Sequence, residues 1–361
     1  MSTRNATLRR ISGQGGAMFS KFGLLVMLVL LTVLFSALKP NTFATTFNFQ
    51  SIGLSKSIVA LLALAAAITI STGEFDVSIG YSVGLFHVLA IGFQTRNGMP
   101  WPVAVAAVLG LGAAVGLANG LLVTRAYVSS FIATLGSGTL LYGITQWYTH
   151  GQQVSGKLGG GFTKIGGLVG PIPIPVVIVV VLSALLWVVS EYMPLGRMAY
   201  VVGSNRKAAE LTGISTRKVV LGAFVASGVL SALAGVVLAA ELGVGVPGTG
   251  SEFLLPAFAA ALLGSTAIRP GRANVLGCLI AVALLAVGVS GLQQLGASTY
   301  VDPLFNGAVL ILAVSLTSYA GRRLRDRAKS GAGRDSAAQQ PPPQPQPLSV
   351  SDDSVLTEVT K

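Results

Sequence analysis

The chain has 361 residues, of which 52% are hydrophobic and only 10% are charged. This composition is typical of a membrane protein and excludes an ordinary soluble domain. The net charge of +12 could indicate a nucleic-acid partner, but the basic residues lie between long apolar blocks. We therefore expect no nucleic-acid partner and interpret these residues as determinants of membrane topology.

Cysteine and histidine are too rare to build a metal site or a disulfide. Cys278 is the one cysteine and lies inside an apolar block, while His87 and His150 fall in different segments. We expect no disulfide within the chain and no metal ion.

Residues 1–21 are basic, and an apolar stretch follows at 22–38. A cleaved signal peptide is the alternative interpretation of such a start. The apolar stretch is longer than the usual core of a signal peptide, and FSALKP at its end is a poor cleavage site. The pattern predicts a basic N-terminal segment followed by a retained first span.

Apolar segments recur along the chain and predict about ten membrane-spanning helices in an all-α polytopic membrane protein. They lie at 22–38, 56–70, 79–93, 103–123, 128–146, 174–190, 218–240, 254–268, 274–290 and 303–319. Several are shorter than the roughly 20 residues of a straight span. Gly73 and Gly264 mark breaks, so we expect some helices to be short or broken where protein covers the backbone.

An acidic pair, Glu74 and Asp76, follows the break at Gly73. Ionisable groups in a bilayer are costly and usually functional, so a proton relay or cation site is one interpretation. The other is that Asp76 or Ser78 caps the next helix, whose N-terminal dipole favours negative charge. Because residues two apart do not share a helical face, we prefer the capping role.

Small residues recur at four-residue spacing in two predicted spans. In the first, Gly110, Gly112, Gly116 and Gly120 include overlapping spacings of four residues, and in the second Ser227, Ser231 and Gly235 repeat the pattern. This spacing lets two helices approach closely, so it predicts packing seams rather than ligand sites.

Elsewhere the spans contain almost no charged residue. An ion-coupled secondary carrier or channel generally needs titratable or cation-binding groups at mid-membrane, so this class is the less favoured alternative. A neutral path fits a neutral polar solute. Side chains that could line it are Asn119, Ser129, Ser130, Gln146, Trp147 and Tyr148, and the two aromatic residues could equally be interfacial anchors.

The Gly-rich segment 147–173 contains GQQVSGKL at 151–158, which is close to a phosphate-binding loop. Leu158 replaces the Ser or Thr that would hold Mg²⁺, and no strand is predicted before the loop. We therefore expect this chain to bind no nucleotide.

A polar island at 198–215, MAYVVGSNRKAAELTGIS, separates two apolar blocks. Pro194 and Gly196 indicate a turn upstream, Ser204 or Asn205 is a candidate N-cap, and Gly213 a natural stop. Asn205, Ala208, Ala209 and Thr212 share one smooth helical face, with Arg206, Lys207 and Glu210 around it. Such a helix could dock into a groove of another protein, and a solvated loop helix is the alternative.

Basic residues are distributed unequally between the two sides of the membrane. With the N-terminus inside, nineteen of the 24 lysines and arginines lie in inside segments. This bias predicts that both termini and the polar island are cytoplasmic. The tail at 321–361 is basic, then Pro/Gln-rich, then acidic, a composition that predicts disorder.

Three motifs resemble those of ABC-importer permeases of the ribose and simple-sugar family. GSNRKAAELTGIS resembles the family's cytoplasmic coupling helix, with matches at Gly203, Asn205, Ala208, Ala209, Gly213 and Ile214. TGEFDVSIGYS (72–82) resembles a second motif, with matches at Asp76, Ser78 and Gly80. GSTAIRPGRANVLG (264–277) is similar to a Gly-rich turn near the family's C-terminal end. Glu74 stands where Gly is common and Val77 where Leu is common.

The resemblance implies a type II-like permease subunit in the plasma (inner) membrane, with a transmembrane domain at 22–320. The resemblance assigns the residues at about 203–214, including Glu210, to coupling with the ATPase. Those assigned to a gate or half-helix cap are Gly73, Glu74, Asp76, Ser78 and Gly80.

The resemblance also implies partners. The chain would pair with itself or with a homologous permease, bind cytoplasmic ATPases that hold ATP and Mg²⁺, and receive a simple sugar such as ribose from an extracytoplasmic solute-binding protein. A nucleoside, a branched-chain amino acid or a signalling furanose is the alternative solute.

Overall fold

The computed structural model of the chain describes residues 22–315. These residues belong to the first of two units, Met1–Ser318 and Tyr319–Lys361. The predictions for residues 1–21, for the end of the last span at 316–319 and for the tail at 321–361 lie outside the described residues.

The described chain is a succession of helices joined by short connections. The long or apolar helices are α1 (Phe22–Leu38), α2 (Thr46–Ser71), α3 (Ser78–Thr95), α4 (Trp101–Thr124), α5 (Ser130–Thr149), α7 (Ile174–Tyr192), α10 (Thr216–Leu242), α11 (Leu254–Gly264), α12 (Val275–Gln294) and α13 (Val301–Ser315). The short helices are α6 (Gly160–Thr163), α8 (Pro194–Ser204) and α9 (Arg206–Leu211).

Each segment predicted to span the membrane overlaps one of the long or apolar helices. Five of them, α2, α4, α7, α10 and α12, are long and apolar enough to cross a bilayer, while α1, α11 and α13 are shorter apolar helices. The all-helical polytopic fold is thereby confirmed, and the number of spans stays a prediction. Helix α2 ends at Ser71, and Gly73 turns the chain in the left-handed region (φ 82°), which glycine adopts without steric cost.

Helix α10 lies at the centre of the fold, where it packs against α2, α3 and α4. The seam predicted in α4 is confirmed for two of its glycines: Gly112 lies against the backbone of Gly228, and Gly116 against the backbone of Phe224. A side chain at either glycine would overlap α10, because the two backbones approach too closely to admit a Cβ atom. The prediction is wrong for Gly110, which has open space beside it.

Two connections have more structure than the sequence predicts. The 147–173 segment holds α6, a short 3₁₀ helix at Lys164–Gly166 and an antiparallel pair of strands, β1 (Leu168–Val169) and β2 (Ile172–Pro173). The turn predicted from Pro194 and Gly196 lies at Met193, between the end of α7 and the start of α8, and Gly196 lies within α8. Pro194 begins helix α8, because its fixed φ and missing N–H suit the first helical position.

Candidate functional site

A buried carboxylate lies in the connection between α2 and α3. Asp76 is 1% exposed. Its Oδ1 accepts hydrogen bonds from the backbone N–H of Ser78 (3.1 Å) and from the Ser78 hydroxyl (2.5 Å), and its Oδ2 accepts one from the Ser227 hydroxyl (2.7 Å). The Asn119 amide donates to Ser78 Oγ at 2.9 Å. One carboxylate therefore joins the start of α3 to α4 and α10.

The backbone of this connection is held by helix α5. The N–H of Phe75 donates to Ser130 Oγ at 3.1 Å, and the N–H of Val77 donates to Thr134 Oγ1 at 2.9 Å. Buried backbone donors without a helical partner must be satisfied by other groups. The side chains of α5 supply them here, so the connection cannot move without breaking bonds to α5.

The surroundings of Asp76 favour the cap over the relay. Its partners are hydroxyl groups and the N–H of Ser78, the first residue of α3, which has no partner within the helix. The N-cap position is Val77, which makes no side-chain bond to α3, so Asp76 binds the start of the helix from one residue upstream of the N-cap. Burial raises the pKa of Asp76 above its usual value, and the hydrogen bonds from Ser78 and Ser227 oppose that rise. Among residues 22–315, no three His, Cys, Asp or Glu side chains are grouped so as to hold a metal ion.

The end of α8 and the start of α9 contact the same connection. The Gly203 backbone lies against Ser71 and Gly73, too close for a Cβ atom at position 203. Arg206 Nη1 donates to Glu74 Oε1 at 2.9 Å, with the arginine side chain 43% exposed and the glutamate 13%. The two sets of predicted site residues, 203–214 and 73–80, are therefore in direct contact.

Helix α9 begins and ends as the sequence predicts. Asn205 is its N-cap and accepts the N–H of Ala208 at 3.0 Å, whereas Ser204 is the last residue of α8. Gly213 has a φ of 82°, and the N–H of Ile214 donates to the Ala209 carbonyl at 3.1 Å, which ends the helix. Glu210 Oε1 accepts the Thr216 hydroxyl at 2.8 Å and ties α9 to α10.

The smooth face predicted for α9 does not all face outward. Ala209 is fully buried and packs with Val202, Val220 and Phe224 of the same chain. Ala208 is exposed. The prediction that both alanines lie on a docking face is therefore wrong for Ala209, because α9 needs an apolar contact to stay against α10.

Sequence reasoning missed three contributors to this site. Leu211 is 87% exposed at the end of α9. The sequence gives no signal for Thr134, which accepts the N–H of Val77, and it predicts a packing seam for Ser227, which binds a carboxylate 151 residues away. A leucine inside a polar island was the available signal for Leu211. No local signal pairs Ser227 with Asp76.

The candidate path residues do not form one lining. Asn119 and Ser130 are buried and bonded to the α2–α3 connection. Ser129 is exposed beside Ser130, at the start of α5. Gln146 is half-buried and lies about 24 Å further along α5, at a rise of about 1.5 Å per residue. Gly80 packs against Leu254 and Gly250.

Comparison with known proteins gives concordant results. The profile of the family described as "Branched-chain amino acid transport system / permease component" matches residues 48–314. The ribose import permease protein RbsC of Escherichia coli (strain K12) is 34% identical over 87% of this chain and 98% of its own length. RbsC of Bacillus subtilis (strain 168) is 34% identical over 82% of this chain and 92% of its own.

A further relative is the D-allose transport system permease protein AlsC of Escherichia coli (strain K12). It is 29% identical over 82% of this chain and 91% of its own length. No solved structure matches the chain.

Proposed function

The chain belongs to the permease-component family of branched-chain amino acid transport systems, and we propose from this membership that it is the membrane-spanning subunit of an ATP-driven importer of a simple sugar. Relatives that it matches over most of its length are a ribose import permease and a D-allose permease. The observation that supports a mechanically driven subunit is the contact between α9 and the Asp76-centred connection.

The partners follow from the same proposal. Two cytoplasmic ATPase subunits hold ATP and Mg²⁺ and press on α9, where Ala208 and Leu211 are exposed. A solute-binding protein delivers the sugar on the opposite side, and two permease chains pair in the membrane. No covalent chemistry takes place in this chain.

The described contacts supply a route for the motion. Displacement of α9 pulls on the Arg206–Glu74 pair and on the close contact of Gly203 with Gly73. The connection then carries the movement to α10 through Asp76 and to α5 through Ser130 and Thr134. Because these are discrete hydrogen bonds between helices, they can exist in two arrangements rather than deform continuously.

A neutral polar solute fits the polar groups of the spans. His87 is held by backbone groups on both ring nitrogens: Nδ1 lies 2.9 Å from the Gly84 carbonyl, and Nε2 accepts the N–H of Val246 at 2.9 Å. A histidine held in this way has no free nitrogen for a proton relay. His87 therefore gives no support to the ion-coupled alternative.

The coupling role is tested by reversing the charges of one ion pair. Glu74→Arg and Arg206→Glu each place like charges together, so we expect each to lower ATP-driven uptake while the ATPase still assembles. The double variant restores the pair and is expected to restore uptake. The control Arg125→Glu, at the end of α4, should leave uptake unchanged. Failure of the double variant to recover any activity would contradict the role of the pair.

The solute is tested with the reconstituted complex in liposomes. We expect ATP-dependent accumulation of ribose or a related monosaccharide when the solute-binding protein is present, and none from the permease alone. Accumulation of a branched-chain amino acid or a nucleoside instead would identify that compound, and not a sugar, as the transported solute. Uptake by the isolated chain without ATPase would overturn the importer altogether.

A further inference from the structure

An apolar groove opens where α8 passes across the ends of α2, α7 and α10. Its cavity volume is about 250 Å³, and nearly all its lining atoms are apolar. The walls are formed mainly by Leu64 and Ile68 of α2, Leu186 of α7, Ala199 of α8, and Gly222 and Ala226 of α10. Gly222 is exposed to the groove, and a Cβ atom added there would meet nothing within 4 Å.

A polar pocket of about 400 Å³ adjoins the groove, and Ser190 and Tyr200 line both. Three arginines, Arg197, Arg269 and Arg272, line this pocket against one acid, Glu191. Lys218, which lines the groove, adds a fourth cation.

The acid in the pocket is already engaged. Arg269 Nη1 lies 2.6 Å from Glu191 Oε2. The Arg272 guanidinium lies 5.3 Å from the centre of the Tyr200 ring, and the Tyr200 hydroxyl donates to the Ala273 carbonyl at 2.8 Å. Among residues 22–315, Arg197, Arg272 and Lys218 form no ion pair. The pocket therefore keeps an excess of positive charge.

We propose that the groove and the pocket together bind one phospholipid with an anionic headgroup. The groove takes part of an acyl chain, and the phosphate lies against Arg197 and Arg272. Charge complementarity selects this occupant, because an apolar slot that opens into a cluster of unpaired arginines matches a molecule with an apolar chain joined to a phosphate. Basic pockets between helices at the membrane surface are sites where such headgroups bind.

Helix α8 contributes to this site, so a bound lipid would affect the transport cycle. Tyr200 and Arg197 belong to α8, whose penultimate residue, Gly203, lies against Ser71 and Gly73. A bound lipid would hold α8 against α2 and α10. This regulatory step rests on the proposed function, whereas lipid binding itself does not.

The test measures lipid retention by native mass spectrometry of the full-length chain purified in detergent. Phosphatidylglycerol and phosphatidylcholine with identical acyl chains are the probes. We expect one phosphatidylglycerol to be retained with at least about tenfold preference, since two arginines without an acidic partner attract its net negative charge. The double variant Arg197→Gln/Arg272→Gln should lose this preference, and Gly222→Leu should lower retention of both lipids.

Matched controls separate the site from general surface charge and from misfolding. Arg217→Gln removes a cation that lies over Tyr127, outside the pocket, and Gly136→Leu adds a side chain at an open glycine of α5. Both should retain phosphatidylglycerol as the wild type does, and all variants should elute as the wild type does on size exclusion.

Three outcomes would overturn the proposal. The first is equal retention of the two lipids by the wild type. The second is displacement of the lipid by glycerol 3-phosphate at equal concentration, which would indicate a site for free phosphate. The third is a change of oligomeric state in Gly222→Leu without loss of lipid, which would indicate that a second copy covers the groove. None of these outcomes depends on which solute is transported.

Discussion

At the scale of single residues, Asp76 is the side chain on which the connection between α2 and α3 depends. It carries a carboxylate into a buried position, where the hydroxyls of Ser78 and Ser227 and one backbone N–H surround it. Burial of a carboxylate is costly unless its oxygens accept hydrogen bonds. Position 76 therefore requires a hydrogen-bond acceptor more than it requires a negative charge.

This predicts different effects for two substitutions of Asp76. Asp76→Asn keeps an acceptor oxygen and removes the buried charge, so we expect a melting temperature close to that of the wild type. Asp76→Ala leaves the N–H of Ser78 and the Ser227 hydroxyl without their acceptor, at about 1–3 kcal/mol for each buried group. We expect that variant to melt well below the wild type in detergent.

The pH dependence of these variants follows from the direction of the pKa shift. Because burial raises the pKa of Asp76, the folded state binds the proton more tightly than the unfolded state does. The resulting stabilisation is complete at pH values below the usual carboxyl range and is lost as pH rises through the folded-state pKa. Relative to Asp76→Asn, the wild type should thus lose stability with rising pH. If the melting temperatures of the two proteins changed with pH in the same way, the raised pKa of Asp76 would be contradicted.

Residue-level predictions succeed where the determinant is local. The cap at Asn205 and the stop at Gly213 depend on neighbours three or four positions away, which the sequence displays. The bonds from Asn119 to Ser78 and from Ser227 to Asp76 join residues 41 and 151 positions apart. Such pairs are set by the way the helices pack, and no periodicity of a single segment encodes them.

At the scale of elements, the seam between α4 and α10 depends on glycines that admit no side chain. An added Cβ at Gly116 would overlap the backbone of Phe224, whereas one at Gly110, on the same helix, would meet nothing within 4 Å. Overpacking of this kind typically costs about 1–3 kcal/mol. We expect Gly116→Ala to lower the melting temperature and the folded yield.

Gly110→Ala is the matched control, since alanine improves helix propensity at a position where space is free. It should leave both quantities unchanged or slightly raised. Equal behaviour of the two variants would show that α4 can withdraw from α10 without loss, and the seam would then be dispensable.

The sequence locates well the helices that are long and apolar, because length and composition are enough to recognise them. Helix α8 was missed because Pro194 and Gly196 are typical of turns, and its amphipathic face is set by packing of Val202 and Gly203 against the rest of the chain. The connection from Gly243 to Phe253 was predicted only as a gap. Its conformation depends on contacts with α3, through His87 and Gly84.

At the scale of the whole molecule, the outer helices are only partly covered by the chain itself. Within their most apolar windows, 17% of α7 and 28% of α4 is buried, against 67% of α2 and of α12. Apolar surface of this extent requires lipid or another subunit to cover it. The central helices therefore form the core of the permease, and α4 and α7 are among the surfaces that the bilayer can cover.

The orientation of the molecule in the membrane is the last prediction, and it follows from charge. The bias of lysine and arginine toward one side predicts that α9 faces the cytoplasm and that the 147–173 segment faces outward. The native Cys278 is fully buried, so cysteines introduced at exposed positions can be labelled selectively. In intact cells, a membrane-impermeant maleimide should label Gln152→Cys and should label Lys207→Cys only after permeabilisation. Equal labelling of both after solubilisation is the control. Labelling of Lys207→Cys from outside would separate α9 from any cytoplasmic ATPase, and the ion pair between Arg206 and Glu74 would then have a structural role alone.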